Sequence, residues 1–278
     1  MNPAPEIAYL VEIVGAQAGH ALGPEAASAA AQKLAPLARR EAMGDVLELL
    51  RFARSKTDAS LLAEIVEAVL PQDTRFFRER ALWKIVRNDV LPAAFKAHGL
   101  DKGVFRIWSA GCGFGQEVYS FAMAVSEALD GSPMPAEIIG TDVSERAIER
   151  ARLGMYTHFE VQRGLPIRLL LKHFERDEDH WRVDNATRKR TRFARHSLLS
   201  DFTPLGAFDV ISCQNVLSAL SPNRREQVLS RMLAQLKAGG YFLTTEGESI
   251  WLRQYQAEFT PIFGSCVFRR TFALEKTA

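Results

Sequence analysis

Ile107–Ser120, IWSAGCGFGQEVYS, begins as an apolar run, breaks at three glycines on alternate positions, and resumes with helical spacing. VFRIWSA (104–110) reads as a buried strand, and Gln116–Leu129 as a helix with Val118, Phe121, Val125 and Leu129 on one face. Glycine is required where a backbone takes positive φ or lies against a ligand. Gly111, Gly113 and Gly115 together would present a flat surface of exposed peptide groups. A dinucleotide fingerprint, GxGxxG, would set its third glycine at position 116. Gln116 stands there instead. A plain tight turn would use the same residues, so the glycines alone do not name a ligand.

Two carboxylates narrow the choice. Asp142 closes the next strand, EIIGTD (137–142), at the position from which a carboxylate accepts hydrogen bonds from ribose hydroxyls. It also flanks a helix that would be capped by Ser144, reach Arg152 and stop at Gly154, so a purely local role is open. Glu117, in the first turn after the glycines, complements the helix dipole. It would repel an anionic ligand and suit a sulfonium or amino group. The pair favours S-adenosylmethionine over NAD.

The same alternation of strand and helix continues. FDVISCQNVL (208–217) reads as a strand, Pro222–Lys237 as a helix stopped by Gly239-Gly240, and GYFLTT (240–245) as a strand. The fold expected is α/β, a doubly wound, mostly parallel sheet of Rossmann-like type with its ligand at the C-terminal strand ends. Pro166–Phe174 predicts a helix, while HWRV (180–183) and TRFAR (191–195) around a polar turn at Asp184-Asn185 predict a small β-ribbon insertion. EFTPIFGSCVFRRTFA (258–273) predicts two strands about Gly264-Ser265, an antiparallel edge.

Before residue 95 no strand pattern occurs. Glu25–Arg40, Gly44–Arg54 and Ser60–Leu70 carry apolar residues at spacings of three and four, and a long segment runs from Thr74 toward Phe95. Two domains are expected: a helical one over residues 1–90, and the ligand-binding one over 91–278.

Composition excludes several classes. With 278 residues, 47% hydrophobic and 24% charged, the chain suits a globular fold. A net charge of +2 makes no global case for nucleic acid or membrane surface. The start lacks a basic stretch ahead of its apolar residues, no apolar run reaches the ~20 residues of a membrane span, and a cytoplasmic protein is expected. Cys112, Cys213 and Cys266 are widely spaced, and the six histidines show no ligand spacing, so neither a disulfide framework nor a metal site is expected.

Larger blocks carry a family likeness. Thr74-Arg75-Phe76-Phe77-Arg78, Trp108 to Cys112 continuing to Gln116-Glu117 and Tyr119-Ser120, Thr141-Asp142, Arg163 to Pro166, His196 to Leu199, Phe208-Asp209, Asn215 to Leu217, and Lys237 to Gly240 follow one another in a characteristic order. In these the chain resembles the CheR-type chemotaxis methyltransferases, which esterify chemoreceptor glutamates with S-adenosylmethionine. The resemblance implies that Thr74 and Arg78 reach the cofactor from the inter-domain segment, Arg78 at its carboxylate. It implies cofactor contacts for Gln72, Gly111, Gly113, Gly115, Glu117, Asp142, Gln214 and Asn215, with Ser197-Leu198 near the adenine. Asn215 and Arg78 are the residues expected at the chemistry, and cytoplasmic helices of chemoreceptors are the expected partner. The chain departs from the usual family pattern at Gln72 (Asn), Ser197 (Asn), Gln214 (Arg) and Ser218-Ala219-Leu220 (Ile-Tyr-Phe).

Two basic groups suit an acidic partner: Lys33, Arg39, Arg40, Arg51, Arg54 and Lys56 on the helical part, and Arg188 to Arg192 with Arg195. No aromatic stacking platform interleaves them, so nucleic acid is not expected. Oligomeric state is not set by these residues. Two other readings stay open: a methyltransferase of this fold acting on another protein or a small molecule, and a scaffold that binds the cofactor without turnover.

Overall fold

The computed structural model describes residues 4–56, 58–99, 103–129, 134–264 and 266–271. These fall into two compact units, parting between Gln72 and Asp73, with Ser197–Ser200 and Ser218–Val228 joining the first unit.

The first unit is built from helices Pro5–Ala18, Pro24–Ala31, Ala35–Arg40, Val46–Lys56 and Ala59–Val69. Leu10, Val14, Leu34, Leu49, Leu50 and Ile65 are fully buried, as the spacing of three and four predicts. The expected helix 25–40 is interrupted by a 3₁₀ turn at Gln32–Leu34 ahead of Pro36, which has no N–H to continue the ladder. Asp58 caps the last helix by accepting from the Ser60 and Leu61 amides. The basic residues here are largely engaged: Arg40 with Glu41 and Glu64, Arg51 with Glu6, and Arg54 over the Tyr9 ring.

The second unit holds a sheet of seven strands in the order β6-β2-β1-β7-β8-β10-β9. The strands in chain order are β1 (Phe105–Ala110), β2 (Ala136–Asp142), β3 (Met155–Thr157), β4 (Phe174–Asp177), β5 (His180–Val183), β6 (Thr191–Arg195), β7 (Phe208–Ser212), β8 (Leu236–Leu243), β9 (Phe259–Ile262) and β10 (Val267–Arg270). From β6 to β8 neighbours are parallel, and β10 and β9 add the antiparallel edge. Of the turn expected between those last two strands, Ser265 lies outside the described residues. Chain order reverses on either side of β1, which leaves a crevice at the C-terminal ends of β1, β2 and β7. Every residue of β7 is buried, which is why its sequence runs apolar without alternation. Asp209, inside that run, answers three groups: it accepts from the Arg106 amide and the Lys237 ammonium, both at 2.8 Å, and pairs with His98 Nδ1 at 2.9 Å.

Three local expectations are corrected. TRFAR is not part of the ribbon: it is β6, parallel to β2, with Phe193 opposite Gly140. A Cβ at Gly140 would come within 3.0 Å of that ring, so the glycine makes room for the pairing. The small insertion is instead the antiparallel sheet β3-β5-β4, and Asp184-Asn185 starts a short helix in which Asp184 accepts from the Thr187 amide. The helix from Pro222 ends at Ala234, and Lys237, Gly239 and Gly240 belong to β8. Those glycines form an irregularity in the ladder: Phe208 pairs with Leu236, but Val210 already pairs with Tyr241. Finally, β7 stops at Ser212, short of the run to residue 217 expected for it.

Thr74–Glu79 is not helical; the helix begins at Arg80 and passes through a π turn, Val86–Val90, just before Pro92. Phe76 and Phe77 are buried, Phe76 edge-on to Tyr156 with centroids 4.9 Å apart. The Phe77 amide donates to Ser120 Oγ at 3.1 Å. The segment is thereby fastened to helix Gln116–Leu129.

Candidate active site

The glycine turn leaves β1 still paired with β2, the Gly111 and Cys112 amides both donating to Thr141 O. All three glycines have positive φ, and two have no room for a side chain: a Cβ at Gly111 would lie 2.5 Å from Val216 Cγ2, and one at Gly115 2.9 Å from Ala151 Cβ. Tyr156 Oη donates to Phe114 O at 2.7 Å and pins the turn from the β3 side. The alternate glycines are thus a consequence of close packing on both flanks of the turn.

Asp142 closes the turn from the end of β2. One of its oxygens accepts from the Gly113 amide at 2.9 Å and the other from Ser144 at 3.0 Å. Ser144 in turn caps the next helix by accepting from Ala147. The local role is therefore real, and each carboxylate oxygen keeps a lone pair for a ligand. Burial pushes the Asp142 carboxyl above its ordinary range, against the backbone amides that pull it down.

Glu117 sits behind the turn. Ser109 Oγ, from β1, donates to one oxygen at 2.8 Å, and Gln214 Nε2, just past β7, to the other at 2.8 Å. Gln214 Nε2 lies also 2.9 Å from Ser212 Oγ. Burial raises the Glu117 carboxyl above the usual value, while the Ser109 and Ser212 hydroxyls and the Arg78 charge draw it back. Each of the two residues that act on this carboxylate by charge or amide has one buried polar atom without a partner: Arg78 Nε, a donor, and Gln214 Oε1, an acceptor. Arg78 Nη1 is tied to Asp73 O at 2.9 Å. Asn215 is exposed, with φ of 58°, its amide held by Glu248 at 2.8 Å. Thr74 stands against the turn, its Cγ2 3.2 Å from where a Gly113 Cβ would be.

Of the residues singled out in the sequence, Thr74, Arg78, Gly111, Gly113, Gly115, Glu117, Asp142, Gln214 and Asn215 all lie in the second unit. Gln72, Ser197 and Leu198 belong to the first, where Gln72 Nε2 is 3.5 Å from Glu67 O and Ser197 Oγ accepts from the Leu199 amide. Cys112 and Cys213 are buried thiols whose pKa burial raises well above the ordinary value. Ser109, Ser212 and Glu248 were not anticipated. Ser109 and Ser212 are small hydroxyls at the ends of apolar strands, a pattern that could have flagged them; Glu248 gave no signal.

Residues 72–265, most of the chain, match the family described as CheR methyltransferase, SAM binding domain. The chain belongs to the CheR methyltransferase family. Among curated relatives it is 31% identical over 215 residues to chemotaxis protein methyltransferase 1 of Pseudomonas aeruginosa, covering 76% of each chain. It is 29% identical to chemotaxis protein methyltransferase Cher2 of Pseudomonas putida, covering 84% of this chain and 86% of that one. A third, chemotaxis protein methyltransferase 1 of Vibrio cholerae, is 29% identical with 84% and 85% covered. The CheR methyltransferase is an S-adenosylmethionine-dependent enzyme, and the groups around Glu117 fit that cofactor. Its amino acid end carries a carboxylate, an ammonium and a sulfonium, matching one unpaired donor, one unpaired acceptor and one half-buried acid. No helix among the described residues is long and apolar enough to cross a membrane.

Proposed function

We propose that this CheR-family enzyme transfers the methyl group of S-adenosylmethionine to glutamate side chains of chemoreceptor cytoplasmic helices, forming methyl esters. The observation that carries this is the half-buried Glu117 carboxylate, with Gln214, which donates to it, and Arg78, whose charge acts on it, each keeping one unpaired polar atom. In this reading Arg78 receives the cofactor's carboxylate, and Glu117 with Gln214 Oε1 receives its ammonium and sulfonium side. Asp142 receives the ribose hydroxyls, and the turn from Gly111 to Gly115 lies flat beneath them. Thr74 packs on that turn, and Asn215, whose backbone N–H donates to Glu248, orients the entering glutamate.

When bound, the cofactor supplies an electrophilic methyl on a cationic sulfur. A glutamate, with a free pKa of about 4.3, is already ionised at neutral pH, so the chain need provide no general base. Its work is alignment, bringing carboxylate oxygen, methyl and sulfur into line at about 3 to 3.5 Å. Opposite charges cancel as the bond forms, so a water-poor site assists more than extra donors would. This suits a pocket whose acid is held by two serines and an amide rather than by a catalytic triad.

A second reading, cofactor binding without transfer, draws on Ala219, where the family usually has tyrosine. Both are tested with methyl-labelled S-adenosylmethionine and a chemoreceptor cytoplasmic fragment. Base-labile label on the fragment is expected; calorimetric binding of the cofactor with no label transferred would overturn the proposal in favour of the second reading.

A further inference from the structure

Segment 75–80 and the turn at 162–164 enclose a cavity of about 320 Å³ walled by Arg75, Arg78, Arg80 and Arg163 beside Phe76 and Phe77. One carboxylate serves three of these arginines: Asp73 lies 3.0 Å from Arg163, and 3.6 Å from both Arg75 and Arg78. That carboxylate is itself half exposed, at 52%. Arg80 is exposed and makes no ion pair among the described residues. The backbone around the cavity is held in costly shapes. Phe77 and Glu79 have φ of 47° and 59°, and a Cβ at Gly164 would lie 2.2 Å from Phe76 O. Strain of this kind persists where surrounding structure over-determines it, commonly at ligand clamps. Three of the four guanidiniums share Asp73, Arg78 acts also on Glu117, and Glu79 is the one acid in the cavity lining, so the cationic donors at the cavity exceed the acids beside them. Asp73 displays what these side chains hold, a carboxylate in one charge-assisted hydrogen bond with Arg163 and in looser ion pairs with Arg75 and Arg78.

We infer that this cavity is an acceptor subsite: Arg75, Arg80 and Arg163 take the carboxylate of an acidic residue that neighbours the methylated glutamate along the acceptor chain. The inference rests on the proposed glutamate acceptor and adds where its acidic surroundings are read. Selection is then electrostatic. A glutamate flanked by further acids is drawn in, and one whose neighbours are amides is not.

The test uses the full chain and a fluorescein-labelled, glutamate-rich helical peptide, with its glutamine counterpart, followed by anisotropy. The wild type is expected to prefer the glutamate peptide, and Arg80→Gln/Arg163→Gln to bind it roughly tenfold more weakly at low salt. Affinity for S-adenosylmethionine should not change. Arg80→Glu guards against a merely structural effect: it should weaken the glutamate peptide further while retaining the cofactor. If the double variant keeps the wild-type preference, or the wild type shows none, the subsite is refuted. Methyl transfer to the receptor fragment separates this outcome from the parent reading. Transfer by a wild type whose peptide preference the double variant retains leaves the proposed function standing without the subsite. Arginine-dependent binding without transfer leaves the subsite standing alone.

Discussion

Glu117→Gln is the perturbation that tests the site most directly, because it removes a charge and leaves the shape. A glutamine at 117 can accept from Gln214 Nε2 with its oxygen and turn its amide toward Ser109, whose hydroxyl rotates from donor to acceptor. Both contacts that Glu117 makes in the structure thus keep a donor and an acceptor. What is lost is the charge-assisted contact to the cofactor's cationic side, worth about 1.5 to 3 kcal/mol. At 1.4 kcal/mol per decade that is roughly a 10- to 150-fold weaker dissociation constant. Calorimetry with S-adenosylmethionine and S-adenosylhomocysteine also reports which group Glu117 meets. Equal loss for both ligands means the ammonium, which they share; loss for S-adenosylmethionine alone means the sulfonium. Stability of the ligand-free protein should move the other way. Burial raises the Glu117 pKa, so the folded state holds more protons than the unfolded one between the ordinary value, about 4.3, and the raised value. Wild-type stability therefore falls as pH rises through that window, and Glu117→Gln lacks this slope. The variant's unfolding midpoint should match the wild type in acid and exceed it at neutral pH. Unchanged cofactor affinity, or a variant less stable than wild type at pH 7, would refute the reasoning.

Three further outcomes follow from the geometry. Asp142→Ala should weaken S-adenosylmethionine binding by about 1 to 3 kcal/mol per lost hydrogen bond, and should loosen the turn by freeing the Gly113 and Ser144 amides; unchanged affinity by calorimetry would remove it from the ribose role. Gly111→Ala should destabilise by about 1 to 3 kcal/mol in denaturant unfolding, since φ is 72° and the new Cβ meets Val216, and adding Val216→Ala should restore only the steric part. Ala219→Tyr, which returns the usual family residue, should raise the methyl-transfer rate without altering cofactor affinity; no change in rate would show that the departure is neutral.

Most of the fold was legible because its signals are local. The glycine turn, the strand ending at Asp142, the Ser144 cap with Gly154 closing that helix, and the antiparallel edge each depend on a few neighbouring residues. TRFAR was misplaced because five residues of strand pattern say nothing about which strand they pair with. Its partner was settled by a glycine fifty residues away that leaves room for Phe193. Gly239-Gly240 read as a helix stop, since glycine marks a strand irregularity and a helix end equally well in one dimension.

The sequence by itself determined the doubly wound architecture, the family blocks, and the two carboxylates at the ends of the first crossover, since each is a matter of residue type at short range. Only the tertiary structure decided how Glu117 is held: Ser109 in β1, and Ser212 in β7 with Gln214 just past it, are about a hundred residues apart in sequence and meet because β1 and β7 are neighbours in the sheet. It also gathered Arg75, Arg78 and Arg163 on one aspartate, a convergence that requires two distant turns to close on the same space. Hydrogen bonds and charge pairs act over a few ångströms, and which residues fall within that reach is fixed by the packing of the whole sheet.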